Sequence, residues 1–182
     1  WINPLRGMND ADIKNISDRY LMKQWYNESS KNGKYIVNYG GNYYFNPAYP
    51  EVRQLICNGV AEIVSRYNVD GIHIDDYFYP SGAASSFDSS AYSQYGGGKT
   101  LADWRRSNTD AMVSSMYRTI KNINSKIPFG ISPQGNNSNN YNFLYANVSK
   151  WCSTSGYLDY VVPQIYWSFN HPSAGFKSKC AE

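Results

Sequence analysis

Between Pro50 and Asp76 the chain changes its hydrophobic period once, and that change constrains the fold more than any other feature. Val52, Leu55, Ile56, Val60, Ile63, Val64 and Tyr67 recur at three- and four-residue steps, the spacing of one apolar helix face. Pro50 and Glu51 suit the first turn of that helix, which covers residues 50–67. After a two-residue joint comes "VDGIHID", a short strand. A helix that feeds straight into a short, mostly apolar strand is half of a parallel crossover unit, and strands of that kind are buried on both faces.

The same order recurs along the chain. "WINP" reads as the end of a strand entering a loop, and residues 18–28 are weakly helical. Residues 33–45, "GKYIVNYGGNYYF", hold Gly40-Gly41 between two short β-like runs, a hairpin that Asn46-Pro47 ends. Leu101, Trp104, Met112, Met116, Ile120 and Ile123 mark a second long helix. Residues 127–132 and 158–167 read as strands, and "FLYANVSKWC" between them as a short helix. The Ser-, Gly- and Tyr-rich residues 81–99 and the polar residues 135–142 read as loops.

Strand and helix alternating in this way predict an α/β fold. An open doubly wound sheet would need no more than the four strands visible, but no glycine-rich phosphate loop follows any of them. A closed eight-stranded barrel takes ~250 residues, so it requires further strands. The start at "WINPLRG", without an initiator Met, and the end at "GFKSKCAE" predict a chain cut at both ends, with residues 1–182 as one piece of a single longer domain. Two exposed sheet edges would then make the piece poorly stable alone. In either architecture the active site lies at the carboxyl ends of the strands.

That places weight on "HIDDYFYP". By strand alternation Ile72 and Ile74 share one face, toward the helices, while His73, Asp75 and Tyr77 share the other. Asp76 sits at the strand tip. Carboxylates at this end of a strand read as catalytic; the bland alternative is a loop cap or an ion pair with an arginine such as Arg6. The other strand ends offer Trp1, Asn3 and Arg6, then Ser132, Gln134 and Asn136, then Gln164, Tyr166 and Trp167, with Gln164 and Tyr166 on one side together. Each alone is weak, since a buried Gln or Tyr is more often a satisfied core group. Four polar strand ends around one mouth are harder to dismiss.

Paired carboxyls suggest glycosidic bond cleavage, in which two such groups lie ~5–5.5 Å apart in retaining enzymes and ~6.5–9.5 Å apart in inverting ones. Adjacent carboxylates repel, so one can keep its proton near neutral pH and act as the acid. Neighbours on a strand point opposite ways, so the second working carboxyl can also lie elsewhere; Asp159 begins a strand and is a poor candidate. A divalent metal on His73, Asp75 and Asp76 is a weaker reading, because His171 is the only other histidine and no ligand spacing supports it. No GxSxG is present for a serine nucleophile. No cofactor is called for.

Composition supports a sugar partner. Aromatics make up 16% of the chain, with 18 Tyr and 5 Trp, against 17% charged residues, and sugars stack their C–H faces on flat rings. A net charge of +3 without a Lys/Arg run argues against nucleic acid. No apolar run approaches the ~20 residues of a membrane span. Cys57, Cys152 and Cys180 show no CxxC spacing; Cys57 falls in the helix as a core residue, and a Cys152–Cys180 bridge has no positive support. A rival to the enzyme is a carbohydrate-binding protein on a non-catalytic barrel, which keeps the aromatics and needs no carboxylate pair.

Taken in order, "WINPLR", "YFNPAYPEVRQLICNGVAEIVSRYNVDGIHIDDYFYP", "LADWRRSN", "FGISPQG" and "YVVPQIYW" resemble glycosyl-hydrolase-like family 10, a family of bacterial secreted or lipid-anchored proteins. The resemblance implies a partial TIM (β/α)8 barrel, from the end of strand three to just past strand six. It implies glycoside hydrolysis of a polysaccharide, with peptidoglycan glycan strands among the substrates of members, and an extracellular or cell-envelope location. The catalytic carboxylates fall on Asp75 and Asp76, with Asn3, Arg6, His73, Tyr77, Tyr79, Ser132, Gln134, Gln164, Tyr166 and Trp167 toward the sugar. Many members carry SPFGIWRN after the fifth strand, where this chain has "SPQGNNSNN" and lacks that aromatic and arginine. His73 and Tyr77 stand at the second Asp and the Glu of the DGxDxDxE signature of chitinase-like barrels, so this strand does not support substrate-assisted chemistry.

Overall fold

The structure, a computed structural model, describes residues 1–172 and 174–181. In chain order its elements are β1 (Arg6–Asn9), α1 (Asp10–Asn15), α2 (Leu21–Asn27), β2 (Ile36–Tyr39), β3 (Asn42–Phe45), α3 (Pro50–Arg66) and β4 (Ile72–Ile74). There follow a 3-10 turn (Ser85–Phe87), α4 (Ser89–Tyr95), α5 (Leu101–Ile123) and β5 (Phe129–Ile131). The remainder holds α6 (Asn137–Phe143), α7 (Val148–Ser153), β6 (Tyr160–Val161) and α8 (Phe176–Cys180).

The two long helices form where the apolar spacing places them. Pro50 opens α3, and Thr100 caps α5 by accepting the Asp103 amide at 3.1 Å. Val52, Ile56, Val60 and Val64 of α3 are buried, as are Trp104, Met112, Val113, Met116 and Ile120 of α5. The two helices pack side by side over the sheet β4-β5-β6, whose strands all run parallel. Ile2 adds a parallel bridge to Ile74, so the N-terminal segment lies on the other side of β4. Ile72, Ile74, Phe129 and Ile131 are buried in the main core with the helix faces. The fold is α/β; among the described residues the parallel sheet is small and does not close on itself.

A second, antiparallel sheet has the order β1-β3-β2. Its β2–β3 hairpin is the one expected around Gly40-Gly41, whose φ values of 60° and 81° are those of a two-residue type I′ turn. The sequence gives no strand signal for β1; it is ordered by pairing with β3 across Arg6–Tyr44 and Asn9–Asn42.

Several loops turn out to be structured. The expected surface loop at 81–99 contains the 3-10 turn and α4. It is fastened from inside by Arg105, fully buried on α5, which donates to both carboxylate oxygens of the buried Asp88 and to the carbonyls of Ala83 and Ala84, both at 2.7 Å. The polar residues 135–142 form most of α6, started by the side chain of Asn136, which accepts the Asn139 amide. The single helix expected at 143–152 is broken: Leu144–Asn147 separates α6 from α7, and Tyr145 takes a left-handed φ of 54°. The strand expected at 158–167 pairs only over Tyr160–Val161, then through one bridge between Gln134 and Gln164, because Pro163 has no amide hydrogen to give a ladder. Cys57 is buried in α3; Cys152 and Cys180 are exposed free thiols.

Candidate active site

Strand β4 delivers its side chains as alternation requires. Ile72 and Ile74 are buried, while His73, Asp75 and Asp76 are half-buried and Tyr77 is exposed. The backbone turns just past the strand, with the Phe78 amide donating to the Asp76 carbonyl at 3.0 Å, and this turn holds the two aspartates together. The Asp76 amide donates to Oδ1 of Asp75 at 2.9 Å.

The neighbouring strand ends complete the arrangement. The Gln164 amide donates to the same Asp75 oxygen at 2.6 Å and to the Ser132 carbonyl at 2.9 Å, so both of its hydrogens are used. Gln134 hydrogen-bonds the side chain of Asp76. Its own backbone is clamped by the buried Asn140, which accepts the Gln134 amide at 3.1 Å and donates to its carbonyl at 2.8 Å. Burial first, then Asp75, hold the Asp76 carboxyl above the usual aspartate range, with Gln134 working against them. Among the described residues no Lys, Arg or His nitrogen forms an ion pair with either aspartate.

Behind Asp75 on the same strand face stands His73. Its Nδ1 lies 3.1 Å from the Tyr160 hydroxyl, and its Nε2 is buried with no hydrogen-bond partner. Burial lowers its pKa, against a raising influence from Asp75.

Other expected residues scatter more widely. Arg6 does not pair with the aspartates; its guanidinium lies 5.0 Å from the centroid of the Tyr77 ring. Asn3 and Tyr166 are exposed, Tyr166 at 83%. Trp167 packs toward Gly135 and lies 6.2 Å from His171. Two placements correct the expectation of sugar contact. Tyr79 is only 2% exposed, inside a small core cluster with Val37, Ala83 and Phe87, its hydroxyl 3.5 Å from Asn108. Ser132 is buried and donates its hydroxyl to the Val162 carbonyl at 2.9 Å. Tyr79 takes a structural position because alternation fails once the backbone turns past Asp76, and Ser132 because its hydroxyl is used by the neighbouring strand segment.

Asn140 and Tyr160 escaped the sequence reading. Counting back by twos from Gln164 leads to Tyr160, so a signal existed for it; Asn140 is one of many asparagines in a polar run and carried none. A cavity of about 510 Å³ is lined by Val161, Pro163 and Ile165 together with Gln134 and Asn140; neither aspartate lines it. Among the described residues no group of three or more His, Cys, Asp and Glu side chains could hold a metal ion, and no helix is long and apolar enough to cross a membrane.

An α/β protein with adjacent carboxyls at the carboxyl end of a parallel strand, beside glutamine amides and aromatic rings, has the arrangement that carbohydrate-active proteins use. The family model described as Glycosyl hydrolase-like 10 matches residues 6–180, and the chain belongs to that family. It is 34% identical to Glycosyl hydrolase YngK of Bacillus subtilis strain 168, over 97% of this chain and 37% of that protein. It is 35% identical to Glycosyl hydrolase DigH of Escherichia coli K12, over 97% of this chain and 44% of that protein. The chain thus spans less than half the length of these relatives.

Proposed function

We propose that the protein carrying this chain is a glycoside hydrolase that cleaves O-glycosidic bonds of a polysaccharide, with Asp75 and Asp76 as reacting carboxyls. The observation that carries this reading is the pair itself: two adjacent half-buried aspartates, the Asp76 amide and the Gln164 side chain both donating to Asp75, Gln134 acting on Asp76, and neither carboxyl neutralised by an ion pair among the described residues. A structural aspartate is normally paired with a cation, as Asp88 is with Arg105 in this same chain.

The environments assign different roles. Asp76, whose carboxyl burial holds above the usual aspartate range, is the proposed proton donor to the oxygen of the departing sugar. Asp75, whose Oδ1 accepts two hydrogen bonds, is the proposed partner, fixed in orientation beside it and facing the sugar ring. Asp75 and Asp76 stand next to each other at one strand end, so a further group on the opposite face of the bond is proposed to come from another residue.

The parallel pairing of Ile2 with Ile74, of β4 with β5 and of β5 with β6, with α3 and α5 as crossovers, supports a partial (β/α)8 barrel covering about strands three to six, with residues 1–182 as one piece of its catalytic domain. Tyr77, Tyr166 and Trp167, with Asn3 and Arg6, are proposed to hold the sugar. Peptidoglycan glycan strands are the substrate to try first, and a secreted or envelope location fits it; family membership supports both.

The test is product release by the intact protein from a panel of glycans, including peptide-free peptidoglycan strands, beside D75N and D76N. Cleavage that falls roughly 10²–10⁴-fold in both variants is the expected outcome. Binding without cleavage by the unaltered protein would replace the enzyme with a carbohydrate-binding barrel.

A further inference from the structure

One row of residues runs across the parallel sheet directly behind the aspartates. His73 pairs in register with Gly130, and Gly130 with Tyr160. The middle position has no side chain, and the Tyr160 ring occupies the space: a Cβ on Gly130 would collide with three of its ring carbons. Tyr160 thereby spans the width of β5 and brings its hydroxyl to 3.1 Å from Nδ1 of His73. The two rings lie 23° from parallel with centroids 5.7 Å apart, and Trp1 covers the imidazole from the other side at 4.4 Å. Nε2 of His73 is buried and unpartnered among the described residues.

The geometry points to Tyr160 as the positioning residue of this site: its hydroxyl donates to Nδ1 of His73 and holds the imidazole in the Nε2-protonated form beside Asp75. The inference rests on reading Asp75 and Asp76 as the reacting pair. A phenol is a far stronger acid than a neutral imidazole N–H, and an imidazole nitrogen is a better acceptor than a phenol oxygen, so the hydrogen runs from oxygen to nitrogen. Which ring nitrogen carries the proton is set by the bond the other one makes. The groups facing the ring are Asp75 on its own strand, the Tyr160 hydroxyl from β6, and the ring of Trp1 from the N-terminal segment; Gly130 on β5 brings none. Of these, Tyr160 alone is hydrogen-bonded to the ring.

Two consequences follow for the chemistry. An imidazolium would carry a hydrogen on Nδ1 and could only donate to the Tyr160 oxygen, a weaker acceptor than the imidazole nitrogen, so the contact as it stands favours the neutral ring, in the same direction as burial. A neutral ring places no imidazolium charge beside Asp75, so the two aspartates are governed by each other and by their two glutamines. The hydrogen left on Nε2 is buried and is the one unused hydrogen-bonding group of the row among the described residues.

The experiment is nitrogen NMR on the intact protein labelled with ¹⁵N-histidine, read beside its glycan-cleaving activity. The chain has two histidines, His73 and His171, and an H171Q variant tells their signals apart. The unaltered protein should show Nδ1 of His73 bare and Nε2 protonated through neutral pH. Y160F keeps the ring and loses only the hydroxyl. In it the two tautomers should mix, His73 should titrate at higher pH, and kcat should fall roughly tenfold with KM little changed. A proton found on Nδ1 in the unaltered protein, or nitrogen shifts and titration that Y160F leaves unmoved, would overturn the inference even if glycans are cleaved. Shifts that respond as described in a protein that cleaves no glycan would leave the Tyr160 assignment standing and remove the hydrolase reading instead.

Discussion

Gln164 donates one amide hydrogen to Asp75 at 2.6 Å and the other to the carbonyl of Ser132 at 2.9 Å, tying the carboxylate of one strand to the backbone of the next. A donor at this length fixes the orientation of the carboxyl that accepts from it. Q164E would place a carboxylate where the donor stands. The acidic limb of kcat/KM against pH should then move to higher pH, because Asp75 loses its donor and gains a like charge. Q164A should lower kcat by roughly tenfold through loss of orientation alone, with a smaller move of that limb. A pH profile of both variants on a cleaved glycan makes the comparison.

Asp76 links the site to stability. Its folded pKa is raised by burial, so the stability it contributes is fully present below the ordinary aspartate pKa of ~3.9 and is lost as pH rises through the raised folded value. D76N cannot ionise and escapes that loss. The variant should melt at a higher temperature than the unaltered protein at pH 7, and the gap should shrink as the pH falls toward the ordinary aspartate range. Paired thermal melts across this range test it, and a gap that stays constant would contradict the burial argument. A more stable but inactive D76N is what a functional carboxyl predicts.

Arg105 is the mechanical anchor of the loop that follows the site. R105A would leave Asp88 charged and buried at 2% exposure, and breaking a buried pair from one side costs ~3–5 kcal/mol. R105K keeps the charge but not the fork that reaches Asp88, Ala83 and Ala84 together, so it should recover only part of that loss. Denaturant midpoints of the two variants give the order.

Gly130 tests the row behind the aspartates from its middle. G130A would force the Tyr160 ring away from β5, and overpacking of this kind destabilises by ~1–3 kcal/mol. The loss should be smaller in a G130A/Y160A double variant than the sum of the single changes, since the clash needs both residues. Chemical denaturation of the four proteins checks this.

The long helices and the buried faces of β4 and β5 were legible in the sequence because they depend on periodicity alone. Val52 to Val64 on α3, Met112 to Ile120 on α5, and Ile72 and Ile74 on β4 each repeat at the step of their own element, and each is buried. The aspartates were legible for the same reason: alternation carries one position past the last paired residue. Two positions further it fails, which is why Tyr79 lies in the core although it belongs to the same aromatic run as the exposed Tyr77. The ordered loop at 85–95 and helix α6 had no periodic signal to read; Arg105 organises the loop through bonds to partners that sequence spacing does not connect, and Asn136, the cap of α6, is one asparagine among many in a polar run.

By itself the sequence determined which segments alternate between helix and strand and which strand end carries adjacent carboxyls, since both follow from local period and chain order. Only the tertiary structure decided that Gln164 meets Asp75, that Asn140 holds Gln134, and that Tyr160 reaches His73 over a glycine. Those pairs lie on neighbouring elements far apart or unmarked in the chain, and their contacts are set by strand register and by the space a missing side chain leaves, neither of which a one-dimensional pattern contains.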